Sequence, residues 1–115
     1  MRILLNWGLL VLILVGICSC GSDAKTTEQR TKDILTLTGS PAAGTNLFTA
    51  QCFFCHGALD EGKQDAPPLS ESKETLTDEQ IIAVVIDGFG SMPALGSKLS
   101  DQEIADILAF IKAPQ

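Results

Sequence analysis

Apolar and polar positions divide the chain into three stretches of different character. From Ile3 to Ile17 nearly every residue is apolar, Asn6 being the clear exception, and Met1-Arg2 gives the run a short basic start. From Ser22 to about Thr38 the chain turns to Thr, Lys, Asp, Glu and Gln with no sustained apolar period. That is the composition of a mostly disordered tether. Some alternation from Asp33 to Thr38 leaves open whether this end lies against a domain. Helical signals then follow one another. Ser40-Pro41 sets a capping residue before a proline suited to the first helical position, and this helix carries Gly44, Leu47 and Phe48 towards Cys52. Thr77-Asp78-Glu79-Gln80 and Ser100-Asp101-Gln102-Glu103 each read as a capping box. The second helix presents Ile81, Ile82, Val84 and Val85, and Gly88 can end it. In the third, Ile104, Ile107, Leu108 and Ile111 fall at i, i+3, i+4 and i+7, a stripe buried on one face. No segment reads as a buried strand and no internal repeat is visible. The pattern predicts an all-α domain.

The organisation that follows is a leader over 1–19, a flexible tether over 20–38 and one domain over 39–115. The first apolar run is shorter than the roughly twenty residues a spanning helix needs, and it has signal-peptide proportions. Its end, Ile17-Cys18-Ser19-Cys20, resembles a bacterial lipobox: an aliphatic residue, two mostly small ones, then Cys. The resemblance implies that Cys20 becomes the acylated N-terminus. Cys18 fits that place less well, because bulky Ile17 would sit just before cleavage. Attached acyl chains contribute about 0.8 kcal/mol per buried methylene, and several together anchor stably. The alternative is an uncleaved N-terminal anchor. A disulfide between Cys18 and Cys20 would close a strained loop. Either form of anchoring puts the remainder outside the cytoplasm.

The chain has 115 residues, and the leader inflates its 45% hydrophobic content. What remains is one small domain of a size that often needs a metal, disulfide or cofactor to complete its core. It has no Tyr, and the single Trp, Trp7, lies in the leader. The formal charge is −6, and removing Met1 to Cys18 takes away one cation, Arg2. Nucleic acid is excluded as a partner, since phosphate binding needs clustered Lys and Arg. The acidity suits a partner with a basic docking face, and it serves plain solubility equally well.

Cys52-Phe53-Phe54-Cys55-His56 is the haem c attachment signature. Cysteines three apart on a helical turn face the same way, so both thiols can reach the two vinyl groups of one porphyrin. His56 then offers its imidazole to the iron. A zinc site would need about four ligands, and the domain has two thiols and one imidazole. A thioredoxin-like pair expects a βαβ pattern nearby, which is absent. A structural disulfide leaves the adjacent His unexplained. For the sixth iron position His56 cannot be doubled, as it is the only histidine. Without Met1, Met92 is the only methionine. It sits in Gly88-Phe89-Gly90-Ser91-Met92-Pro93, a loop whose glycines permit close approach to a flat ligand.

These residues make the stretch from about Ser40 to Lys112 similar to the class I c-type cytochromes. Gly44-x-x-x-Phe48, ahead of Cys52, matches that family's N-terminal helix, and Ile107 with Phe110 matches its C-terminal helix. The resemblance implies that Gly44 crosses against Phe110, where the family usually has Tyr. Ala66-Pro67-Pro68-Leu69 resembles the loop after the haem-binding His. By that resemblance the Pro67 carbonyl, with Pro68 as the alternative, would orient His56, and Leu69 would cover the ring. The implied fold is a small cytochrome c of about three to four helices wrapped around one covalent haem c. The implied function is one-electron transfer at a His56/Met92-ligated iron, without enzyme activity. Phe53, Leu69, Phe89 and Ile82 would form a dry shell around the ring. Donor and acceptor would be redox proteins, membrane oxidoreductases among them, with the chain a lipid-anchored monomer outside the cytoplasm. A haem subunit fixed in a larger respiratory complex is the alternative. A haem enzyme or gas sensor with a labile Met92 ranks lower, because no distal His or Arg suited to peroxide chemistry is present.

Overall fold

The computed structural model describes residues 24–63 and 66–114. The leader over 1–19 and Cys20 lie outside them. Among the described residues six helices follow in order: α1 Thr27–Leu35, α2 Pro41–Gln51, α3 Phe53–His56, α4 Leu69–Thr75, α5 Asp78–Asp87 and α6 Asp101–Lys112. Among the described residues the only β-type pairs are two isolated bridges, Lys63 with Ala66 and Phe89 with Met92. The fold is all-α, as the periodicity predicts. No described helix is long and apolar enough to cross a membrane.

The three helices read from the sequence begin where their caps place them. The Ser40 hydroxyl accepts from the Ala43 N–H, with Pro41 in the first turn. Thr77 with Gln80 and Ser100 with Glu103 complete both halves of their capping boxes. Each satisfies donors that a helix start otherwise leaves orphaned.

Helices α2 and α6 form the main crossing, and its closeness depends on glycine. A Cβ at Gly44 would lie 2.0 Å from the Asp106 carbonyl oxygen and 2.7 Å from the Phe110 Cβ. Phe48, one turn on, packs its ring 5.1 Å from that of Phe110. The crossing implied by the family resemblance is therefore present. Gly39 repeats the device against the Ala105 carbonyl, and the sequence reading did not single it out. Behind this crossing lies one core that includes Ile34, Phe48, Ile82, Ile104, Ile107 and Ile111.

The described residues hold six helices, five of them within 39–115 where three to four are expected, and α1 is the important addition. The stretch read as a tether folds over Thr27–Leu35 and buries Ile34 to 1% exposure and Thr31 to 5%. Thr26 caps it by accepting from the Gln29 N–H. Glu28 pairs with Lys32 at i, i+4, and Lys25 pairs with Asp33. Such exposed pairs contribute only tenths of a kcal/mol. Docking is what holds α1, and much of it is polar. Arg30 donates through Nε to Asp101 at 2.6 Å, through Nη2 to the Leu99 carbonyl at 2.7 Å, and through Nη1 to the Gly96 carbonyl. A helix fastened by Ile34 and by polar contacts from Arg30 and Thr27 carries no apolar period to read.

Candidate haem site

The motif cysteines straddle the break between α2 and α3. Cys52 closes α2, with its N–H on the Phe48 carbonyl at 2.8 Å, and also opens the single turn of α3. The His56 N–H returns to the Cys52 carbonyl at 2.9 Å, so thiols and imidazole share one continuous helical turn. Both thiols are free, Cys52 half-buried and Cys55 exposed. Burial, reinforced by the Cys55 charge, pushes the Cys52 thiol up to about 11. It therefore stays protonated at neutral pH, whereas a redox-active Cys-x-x-Cys needs a thiolate. Burial also lowers the His56 pKa, favouring the neutral imidazole that can bind a metal.

After His56 the chain turns through buried Gly57 at φ +68 and sets Leu59 in the core. The Ser70 N–H donates to the Leu59 carbonyl at 2.7 Å and closes the loop, and the Lys63–Ala66 bridge braces its far end. The Pro68 carbonyl is engaged in starting α4: it accepts from the Glu71 and Ser72 N–H groups and from the Ser72 hydroxyl. Pro67 is exposed. The His56 Nδ1 is buried and has no hydrogen-bond partner among the described residues. The bond from His56 to the Pro67 carbonyl is thus not made in this structure, nor is one to Pro68.

On the other side, α5 ends at Gly88, φ +76, where a Cβ would meet the Met92 carbonyl oxygen at 2.5 Å. Phe89 and Met92 then exchange backbone hydrogen bonds across a tight turn. Met92, Leu69 and Cys52 are all partly buried and pack against the same core. Three of the sequence-predicted site residues therefore share one apolar surface. Of the expected dry shell, Ile82 is fully buried, while Phe53 at 43% and Phe89 at 78% are exposed. Lys63 sets its ammonium 4.8 Å from the centre of the Phe53 ring.

The donor set fits a haem and does not fit a simple metal ion. Among the described residues no three His, Cys, Asp or Glu side chains converge on a metal-sized point. Two free thiols on one turn, a neutral imidazole with an orphaned buried nitrogen, and apolar residues only half covered suit a wide, flat, apolar group. Residues 39–111 match the family described as cytochrome c oxidase, cbb3-type, subunit III.

The chain belongs to this family of c-type cytochromes. Cytochrome c6 of Diacronema lutheri is 30% identical over 78 residues, covering 64% of this chain and 94% of that protein. Cytochrome c6 of Leptolyngbya boryana is 34% identical over 74 residues, with 61% and 87% covered. The crystal structure of cytochrome c6 from the diatom Phaeodactylum tricornutum is similar in shape, with a TM-score of 0.56 at 32% identity. It covers 64% of this chain and 91% of that one. The chain is a small electron-transfer protein with one covalently bound haem c, not an enzyme. Helix α1 lies ahead of the matched residues.

Proposed function

We propose that this cytochrome carries one electron at a time on a haem bonded through Cys52 and Cys55, with His56 and Met92 as axial ligands. The observation that carries the reading is the Cys52–His56 turn, where two thiols and an imidazole with an unpartnered Nδ1 sit on consecutive helical backbone. Haem c supplies the Fe(II)/Fe(III) couple that accepts and returns the electron. Cys52 and Cys55 hold the ring by thioethers, so it cannot be lost to solvent. His56 and Met92 would together hold the iron, and a site held so would leave no place for substrate, restricting it to electron transfer. Leu69 shields the ring from water. Pro67 is the proposed acceptor for His56 Nδ1, because the Pro68 carbonyl serves α4. Such a bond fixes the imidazole and strengthens it as a ligand.

The domain works outside the cytoplasm, tethered through acylated Cys20, with an acidic surface that favours basic docking faces on membrane redox partners. Mass analysis of the mature protein tests the site: the peptide carrying Cys52 to His56 gains one haem. An unmodified peptide from a host competent in maturation contradicts it. A second reading, a haem-bearing subunit held in a larger respiratory complex, is favoured by the family's description as an oxidase subunit. Co-purification of stoichiometric partners from detergent-solubilised membranes would support that form over a free carrier.

A further inference from the structure

Helix α1 holds both ends of the segment that carries Met92. At the entry, the Thr27 hydroxyl donates to the Asp87 carboxylate at 2.7 Å. Asp87 is the last residue of α5, and Gly88 then turns the chain into Phe89–Met92. At the exit, the Arg30 guanidinium donates to the carbonyls of Gly96 and Leu99 and pairs with Asp101 at the start of α6. A Cβ at Gly96 would lie 2.8 Å from Ile86 Cγ2, 2.9 Å from the Ile86 carbonyl oxygen and 3.0 Å from Arg30 Nη1, so glycine there admits both α5 and the guanidinium against the backbone. Other tethers of this segment run to α5: the Leu95 N–H to the Val85 carbonyl at 2.9 Å, and the Gly96 N–H to the Ile86 carbonyl at 3.1 Å. Among the described residues no side chain other than Arg30 hydrogen-bonds to the backbone of residues 88–99.

We propose that α1 is a staple across the Met92 loop, with Arg30 as the positioning residue that keeps the methionine sulfur on the iron. The inference rests on Met92 being the sixth ligand. A thioether is a weak ligand for ferric iron, so the loop's freedom to swing away competes directly with ligation. A planar guanidinium presents five donors in a rigid fork and here engages two carbonyls and a carboxylate together, which a flexible ammonium with three donors holds less firmly. Helix α1 lies ahead of residues 39–111, which match the family, whereas the groups it holds, Asp87, Gly96, Leu99 and Asp101, lie within them.

The test uses the full holoprotein and the variants Arg30→Met, Arg30→Lys and Thr27→Val, with Lys32→Ala as a control on the exposed face of α1. Two readouts report the ligand itself: the weak red-end absorption of Met–Fe(III) during heating, and the rate of carbon monoxide binding to the ferrous protein. Arg30→Met is expected to lose the absorption at a lower temperature than its far-ultraviolet helical signal, and to bind carbon monoxide about tenfold faster. Arg30→Lys and Thr27→Val shift the same way by less, and Lys32→Ala matches the parent. An Arg30→Met protein whose absorption and carbon monoxide rate equal the parent's overturns the staple. So does one that loses absorption and helix together, which makes Arg30 a general stabiliser only. A parent that lacks the red-end absorption removes the Met92 ligation and the staple with it.

Discussion

Ser40, at the start of α2, donates its backbone N–H at 2.8 Å to the carboxylate of Asp106, buried in the middle of α6. The same carboxylate oxygen accepts from Gln102 Nε2 at 2.9 Å, and Gln102 also reaches the Thr38 carbonyl at 3.0 Å. A buried carboxylate is tolerated here because each of its contacts is a donor. It fixes the register of the two helices whose crossing positions Cys52.

Asp106→Ala removes that acceptor and strands the Ser40 N–H, at an expected cost of about 1–3 kcal/mol in unfolding free energy. Asp106→Asn keeps an amide oxygen in place and should recover much of the loss. Denaturant unfolding of the two holoproteins distinguishes them. Equal stability of both variants would mean that the hydrogen bond contributes nothing.

Two glycines separate close packing from backbone conformation. Gly44→Ala drives a methyl to 2.0 Å from the Asp106 carbonyl oxygen, backbone that cannot step aside. The expected destabilisation is about 3 kcal/mol, the upper end for overpacking. At Gly90 an added Cβ meets nothing within 4 Å, but φ is +56. Gly90→Ala should therefore cost only about 1 kcal/mol of left-handed strain. Thermal unfolding followed at the haem absorption ranks the pair.

Much of this arrangement is legible in the sequence where one short signal meets one local requirement. The capping boxes at Thr77 and Ser100 announce helices because side chains three residues apart satisfy orphan donors. The Gly44 and Phe48 spacing announces the crossing. Helix α1 escapes because Arg30 and Thr27 dock it through two carbonyls and two carboxylates distant in sequence, and hydropathy does not register such partners. Helix α4 escapes because its buried face is slight and its start is a Pro68 carbonyl rather than a side-chain cap. The site's chemistry is legible in Cys52, Cys55 and His56. The unpaired Nδ1 of His56 could be found only in three dimensions.

Removing the iron ligands one at a time gives different losses. His56→Ala should abolish stable holoprotein, because the proximal imidazole and the thioethers are set on one turn. Met92→Ala should retain covalent haem but lower the reduction potential, since thioether ligation favours the ferrous state. An unchanged potential in Met92→Ala would reject Met92 as the ligand.

Anchoring has its own test. Cys20→Ala should move the protein from the membrane fraction to the soluble one while leaving the haem spectrum intact. If Cys20→Ala still sediments with membranes, an uncleaved N-terminal anchor replaces the lipid.

The most direct measurement is a potentiometric titration of the purified mature protein followed across the visible spectrum. The expected result is a single one-electron transition at one haem, with the Met–Fe(III) red-end absorption present when oxidised and lost on reduction. A colourless protein, or a haem whose oxidised form never shows that absorption, would contradict a His56/Met92-ligated electron carrier.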